Sequence, residues 1–494
     1  MSLASKTVIA GIWNFAEQLG LRGITTIITL LLARFLDPSA YGLMSMIAIF
    51  LAVGTSLMDS GFRQSLIRLK GATQVDFNTA FYSNLVLGFF SYLIIFFTAP
   101  FIADFYKDPR LISLIRVTSL TIIINSFQTV QRAELIRNLN FKAQLQSTIP
   151  SGILSGLVAI GLAYLGFGVW ALVTQMLLGA LFTTIFLWLI QGWRPSMLFS
   201  RASFFKLYSF GIKLFFSGLI DIIFNNIYVI TIAKIFSASI AGHYFFAHKI
   251  KDLLVQQIVS SIQNVTYPAF SKLQDDNTRL RNGYRKVISV STFVLFPIMI
   301  AMVVLIKPFF ILVLPAKWLP AVPYLQLECI IGLMYPLHSI NLNILKVKGR
   351  SDLFLYLEII KKGMAVIVLI FSIRYGVIGI LIGQIFTSVL SYIPNSYFSK
   401  KLIGYSVREQ IMDFGPYLIL SFVTGGLIYL GTSMTELQPV ADLLLFGCTG
   451  FCLYLSCAYV FKLEGLSLSL SLVKHKKTTK KKSVVCEISE LKTR

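Results

Sequence analysis

Long apolar runs, separated by short breaks carrying charges, Pro or Gly, dominate the chain from end to end. A helix of about 20 apolar residues crosses the ~30 Å hydrocarbon core of a bilayer. On that basis the pattern predicts about fourteen spanning helices, over 8–36, 41–66, 79–101, 111–133, 147–165, 169–191, 207–235, 240–264, 287–306, 322–345, 354–373, 377–399, 413–432 and 441–461. The first run is interrupted in a regular way. Asn14, Gln18 and Arg22 recur every four residues, Thr25 and Thr29 continue the row, and Glu17 lies beside it. On a helix this spacing draws one polar stripe down a single face. The second run repeats the device with Thr55, Asp59 and Arg63. A charge deep in hydrocarbon costs at least ~2.5–3.5 kcal/mol, so such residues face a partner or a watery cavity.

The pattern also repeats. Shifting the chain by 200 residues aligns Gly11 with Gly211, Phe15 with Phe215, Ala33 with Ala233, Arg34 with Lys234, Ser39 with Ser239 and Gly42 with Gly242. Leu and Ile matches mean little in so apolar a sequence, but the shared Ala-(Arg/Lys)…Ser…Gly corner is informative. The expectation is an all-α polytopic membrane protein with two parallel six-helix repeats forming two lobes, at 1–200 and 201–402. Two additional transmembrane helices (403–462) and a basic cytoplasmic tail (463–494) complete the expected organisation. Transporters built on such repeats hold their substrate between the halves. In the second repeat Lys213, Ser217, Asp221 and Asn225 again recur every four residues, with Asn226 adjacent. The following segment carries His243, Lys249, Asp252, Gln256 and Gln257.

Composition and charge sharpen this picture. The chain is 56% hydrophobic and 13% charged with net charge +23, and the charge is spread over many short loops. With the N-terminus inside, Arg63/Arg68/Lys70, Arg132/Arg137/Lys142, Arg194/Arg201/Lys206 and Arg279/Arg281/Arg285/Lys286 all fall on the cytoplasmic side. That is the positive-inside asymmetry, and it places both termini in the cytoplasm. A nucleic-acid partner is excluded by the same dispersal. The run Lys474–Lys482 reads as a solvated tail, with contact to anionic headgroups as the functional alternative. The five cysteines form neither a disulfide framework nor a metal-ligand set, and no nucleotide-binding loop or catalytic triad is present.

The polar positions fall into two groups. Asn84, Asn125 and Gln384 read as interhelical hydrogen bonding, at ~0.6 kcal/mol each. Glu17, Arg22, Asp59, Arg63, Asp221 and Lys249 read as cavity lining, with ion pairing inside the bundle, as between Asp59 and Arg63, as the competing reading. His243 and His338 read as structural.

Gly-Ile-Trp-Asn-Phe-Ala-Glu-Gln (11–18), the corner Leu-Leu-Ala-Arg-Phe-Leu-Asp-Pro-Ser-Ala-Tyr-Gly-Leu (31–43) and Met-Asp-Ser-Gly-Phe-Arg (58–63) resemble the polysaccharide exporters of the MOP flippase superfamily. Arg-Ala-Glu-Leu-Ile-Arg-Asn-Leu-Asn-Phe (132–141), Gly-His-Tyr-Phe-Phe-Ala-His-Lys-Ile (242–250) and Tyr-Pro-Ala-Phe-Ser (267–271) point the same way, to the Wzx/WzxC-like branch. The resemblance implies a non-enzymatic flippase of the bacterial inner membrane. Its cargo would be undecaprenyl-pyrophosphate-linked oligosaccharide, moved by alternating access for lipopolysaccharide, capsule or exopolysaccharide biosynthesis. The implied partners are that lipid-linked substrate, membrane lipids and polysaccharide polymerase or assembly proteins. No cofactor is implied; Na+ or H+ is the candidate coupling ion. Arg22 and Lys249 would meet the pyrophosphate, since Arg binds such anions in a bidentate manner. Arg63, Asn14, Gln18, Asn225 and Asn226 would line the substrate cavity, and Glu17, Asp59, Asp221 and Asp252 would tune it or couple it to a cation. A cation-coupled multidrug antiporter of the same superfamily is the alternative.

Overall fold

The computed structural model describes residues 3–69, 71–271, 273–434 and 438–469. No strand occurs among them. Backbone groups in hydrocarbon find no water, so each segment must satisfy its own hydrogen bonds, which a helix does. The predicted basic tail run at Lys474–Lys482 lies outside the described residues.

In chain order the helices are α1 (Leu3–Phe35), α2 (Pro38–Asp59), α3 (Phe62–Arg68), α4 (Gln74–Tyr106), α5 (Arg110–Thr118), α6 (Leu120–Ser126), α7 (Thr129–Arg137), α8 (Phe141–Tyr164) and α9 (Val169–Ile190). There follow α10 (Arg201–Asn225), α11 (Ile227–Ile235), α12 (Ala238–Ser271), α13 (Asn277–Val313), α14 (Val322–Val347), α15 (Ser351–Ser372), α16 (Gly376–Ile403), α17 (Val407–Met434) and α18 (Pro439–Val460). Helices occupy every predicted segment. The expected number of about fourteen spans is nevertheless not reached by length and apolarity alone: among the described residues ten helical stretches qualify, or eleven if a bent pair is one span. The shortfall has physical causes. α15 and α16 run together as a single apolar stretch of 52 residues, and α12 and α14 carry too many polar side chains to qualify.

Two compact units emerge. The first comprises Met1–Phe246 with Val313–Trp318; the second comprises Ala247–Leu312 with Leu319–Arg494. In the first, α1 packs along α8, α8 along α9, and α2 against α4 and α10. α4 shows how the sequence sorts its faces. Asn78, Thr79, Ser83, Asn84 and Ser91 are buried, whereas Phe89, Phe90, Ile94, Phe97 and Phe101 are exposed. Lipid is as apolar as the core, so the outward face must be apolar and the polar groups turn inward to meet partners. Thr73 and Asp76 form a capping box that starts α4, and the Ser200 hydroxyl accepts from the Ser203 N–H to start α10.

The repeat corners meet within this first unit. A Cβ on Gly42 would lie 1.8 Å from the Ala238 carbonyl oxygen, and one on Gly242 would lie 1.8 Å from the Pro38 oxygen. Gly42 and Gly242 differ by 200 residues, as do Pro38 and Ala238, so the contact is reciprocal. Trp318 seals the same corner. It is fully buried, donates from Nε1 to the Ala33 carbonyl at 2.6 Å, and packs edge-on against Tyr41 with its ring tilted over Phe246. His243 bonds the Lys317 carbonyl at 2.9 Å.

In the second unit α14 packs on α16, α15 on α16 and α17 on α18. A buried amide–hydroxyl network ties α14, α16 and α17 together. Gln410 Oε1 accepts from Asn341 (2.9 Å) and Tyr392 (2.6 Å), and Ser399 donates to Asn341 (2.5 Å). His338 is held between Ser388 and Asn395.

Candidate functional site

The first unit contains a cavity of about 660 Å³ where two helices break. The first break lies between α2 and α3. Ser60 and Gly61 both take positive φ (39° and 76°), which stops α2 and restarts the chain as α3. Gly61 is required there twice over, because a Cβ would also strike the Gly211 Cα at 2.5 Å. The break leaves Asp59 at the end of α2 and Arg63 in the first turn of α3. The Asp59 carboxylate accepts the Arg63 backbone N–H at 3.1 Å and lies 3.7 Å from its guanidinium. Asp59 therefore caps an otherwise orphaned helix start while holding the side chain beside it.

The second break lies between α6 and α7, which meet at 45°. Gln128 donates to the Asn125 side chain, and the Thr129 hydroxyl donates to the Asn125 carbonyl at 3.0 Å. Arg132 follows one turn later. The cavity is thus lined by Thr55, Asp59 and Arg63 from one broken helix and by Asn125, Gln128 and Arg132 from the other. Irregular backbone at membrane depth is tolerated where it lines a cavity.

Electrostatically the site pairs two cations with two acids. Arg132 is repelled by Arg63 and attracted by Glu17. Glu17, buried on α1, also engages the side chains of Gln144 and Thr148 on α8. The guanidinium donors are not used up: the Nε atoms of Arg63 and Arg132 have no hydrogen-bond partner among the described residues.

Of the residues singled out in the sequence, the cavity brings together Arg63 and Asp59, with Glu17 adjoining through Arg132. Arg22 is half-buried on α1, one terminal nitrogen lacks a partner among the described residues, and it does not contribute to the lining. Gln18 donates to Asn14 at 2.8 Å. Asp221 and Asn225 sit on the exposed side of α10, and Asn226, at the break before α11, bonds the Ile222 carbonyl at 2.8 Å. Lys249 and Asp252 belong to α12 in the second unit. There Asp252 pairs with His248 (3.3 Å) and Lys251 (2.8 Å).

Three corrections follow. Asn125, expected as interhelical glue, faces the cavity, and Arg132, counted only as a cytoplasmic loop charge, is its second cation. The signal for both was the spacing of Asn125, Gln128 and Arg132, a polar row at helical intervals. Asn84, also expected to bond between helices, is fully buried with neither amide atom partnered among the described residues.

The described residues thus form a multi-helix membrane bundle whose first unit holds a cationic cavity at two helix breaks. Known structures agree on the fold. A lipid II flippase MurJ in an inward closed conformation superposes with a TM-score of 0.71, covering 92% of this chain and 98% of its own at 16% identity. An inward-facing multidrug-resistance MATE transporter of the MOP superfamily gives 0.57 at 16% identity, over 78% of this chain and 98% of its own. Lipopolysaccharide biosynthesis protein WzxC of Escherichia coli K12 is 26% identical over 443 residues, covering 86% of this chain and 89% of WzxC. Residues 31–323 match the polysaccharide biosynthesis protein family, and the chain belongs to that family.

Proposed function

We propose that this protein is a flippase that carries undecaprenyl-pyrophosphate-linked oligosaccharide across the bacterial inner membrane by alternating access. In this reading Arg63 and Arg132 receive the pyrophosphate. The observation that carries it is the pair of guanidiniums sharing one cavity with donors left over. A phosphate oxygen accepts such donors strongly and in parallel pairs. Arg63 is held only loosely by Asp59, at 3.7 Å and with 40% of its side chain exposed, so an incoming anion can displace the carboxylate. The neutral hydroxyls and amides of Thr55, Thr121, Asn125, Gln128 and Thr129 offer a shelf for the first sugar. Arg22 in the first unit and Lys249 in the second are further contacts for the cargo, as are Asn14, Gln18, Asn225 and Asn226, and Glu17, Asp59, Asp221 and Asp252 tune transport. Positive loops inside place both termini in the cytoplasm, and polysaccharide polymerase or assembly proteins are the partners on delivery.

The test is complementation of a flippase-deletion strain, measuring which leaflet holds the lipid-linked oligosaccharide. Losing one charge-assisted contact costs about 1.5–3 kcal/mol, on the order of 10- to 100-fold in affinity. Arg132→Ala and Arg63→Ala should each leave the intermediate on the cytoplasmic leaflet, and Arg132→Lys should recover part of the loss. Full surface polysaccharide from the double alanine variant at normal protein level would refute the assignment. The likeness to MATE transporters and the two acids at the cavity favour the second reading, a cation-coupled small-molecule antiporter. Normal leaflet distribution together with lost drug resistance would select it.

A further inference from the structure

The second unit holds a half-buried charge cluster that the cavity does not use. On α12, His248, Lys251 and Asp252 meet Glu328 of α14. Glu328 is 1% and Lys251 7% exposed. His248 Nδ1 is 2.9 Å from Glu328 Oε1, and His248 Nε2 is 3.3 Å from Asp252 Oδ2. Lys251 Nζ is 2.8 Å from Asp252 Oδ1 and 3.1 Å from Glu328 Oε2. Each carboxylate is thus shared between the imidazole and the ammonium. With both carboxylates ionised, each only accepts, so both ring nitrogens carry hydrogen and the ring is an imidazolium. Two cations and two anions then close a neutral ring. Among the groups that face His248 are Lys251 and Asp252 from its own helix and Glu328 from α14, with the Cys329 thiol beside Glu328 and Lys251.

Removing one proton from this ring leaves the buried Glu328 carboxylate and the partly exposed Asp252 carboxylate facing a single ammonium. That state is disfavoured in a low-dielectric interior unless solvent or a cation reaches it. Histidine is the side chain whose charge changes within the physiological range. We propose that His248, clamped by Asp252 and Glu328, is an exchangeable proton-binding site, and that its protonation couples the transport cycle to the proton gradient. The second half of the proposal rests on the transport reading above; the first half does not. The proton leaves from a ring nitrogen to water and returns to the same atom, with Lys251 holding both carboxylates in place meanwhile.

The chain has four histidines, so histidine-selective 15N labelling of the full-length protein in nanodiscs gives a spectrum that His248→Gln assigns directly. The expected result is a doubly protonated His248 ring at pH 7 that titrates reversibly at higher pH. Asp252→Asn should shift its midpoint to lower pH, that is, to an about tenfold higher proton concentration. In cells, wild-type surface polysaccharide output should fall several-fold when nigericin collapses the pH gradient. The output of His248→Gln should be reduced and no longer respond. Should His248→Gln fail to fold, Asp252→Asn carries both measurements. A singly protonated neutral ring at pH 7 would overturn the site, as would a ring that never titrates. A gradient response unchanged in the folded variants would overturn the coupling and leave the ring as a structural lock between α12 and α14. A titrating ring in a protein that moves no lipid-linked oligosaccharide would uphold the site and refute the flippase reading instead.

Discussion

Replacing Gly42 with alanine tests the reciprocal corner most directly. The added Cβ would stand 1.8 Å from the Ala238 carbonyl oxygen and 2.7 Å from its carbon, whereas real Cβ atoms keep at least 3.0 Å. The obstacle is backbone, so no side-chain rotation relieves it, and either α2 or the start of α12 must retreat. Overpacking a well-packed site costs typically 1–3 kcal/mol, and a clash with backbone sits at roughly the upper end. At about 2–4 °C per kcal/mol this is a drop of roughly 6–12 °C in melting temperature. Gly242→Ala should cost a similar amount, because it meets the Pro38 oxygen at the same 1.8 Å. Gly23→Ala is the control: nothing lies within 4 Å of its new Cβ, and alanine is the better helix former. The assay is thermal unfolding of the full-length chain in one detergent, followed by fluorescence-detected size exclusion. If Gly42→Ala melts within a degree of wild type while Gly23→Ala behaves as expected, the corner is not the tight contact described.

Two further substitutions probe the packing. Trp318→Ala should destabilise by about 3–5 kcal/mol, as full burial of an indole implies. Trp318→Phe, which keeps a ring but loses the bond to the Ala33 carbonyl, should cost only about 1–2 kcal/mol by the same melting assay; equal losses would contradict that division. Asn84→Leu should raise the melting temperature, because a buried amide with no partner costs about 1–3 kcal/mol. A stable Asn84→Leu protein that has lost transport would show instead that the amide serves the cargo.

Much of the molecule was legible along the chain, because a bilayer leaves few choices. Apolar runs of about twenty residues must become helices, and the positive-inside rule gives an orientation to propose. The 200-residue echo pointed to the two corners, and Gly42 and Gly242 meet where it aligns them. The row Thr55, Asp59, Arg63 placed half of the cavity.

What the sequence could not decide was which polar residues share a space. Arg132 reads as one more loop charge until the bend between α6 and α7 turns it toward Arg63. Arg22, on an equally regular stripe, stays outside the lining. Glu328 is 80 residues from His248, and only the packing of α14 on α12 brings their atoms to 2.9 Å. Helical periodicity reports the face on which a residue sits. The partner of that face depends on where helices break and how they pack, and those angles are set by contacts far apart in the chain.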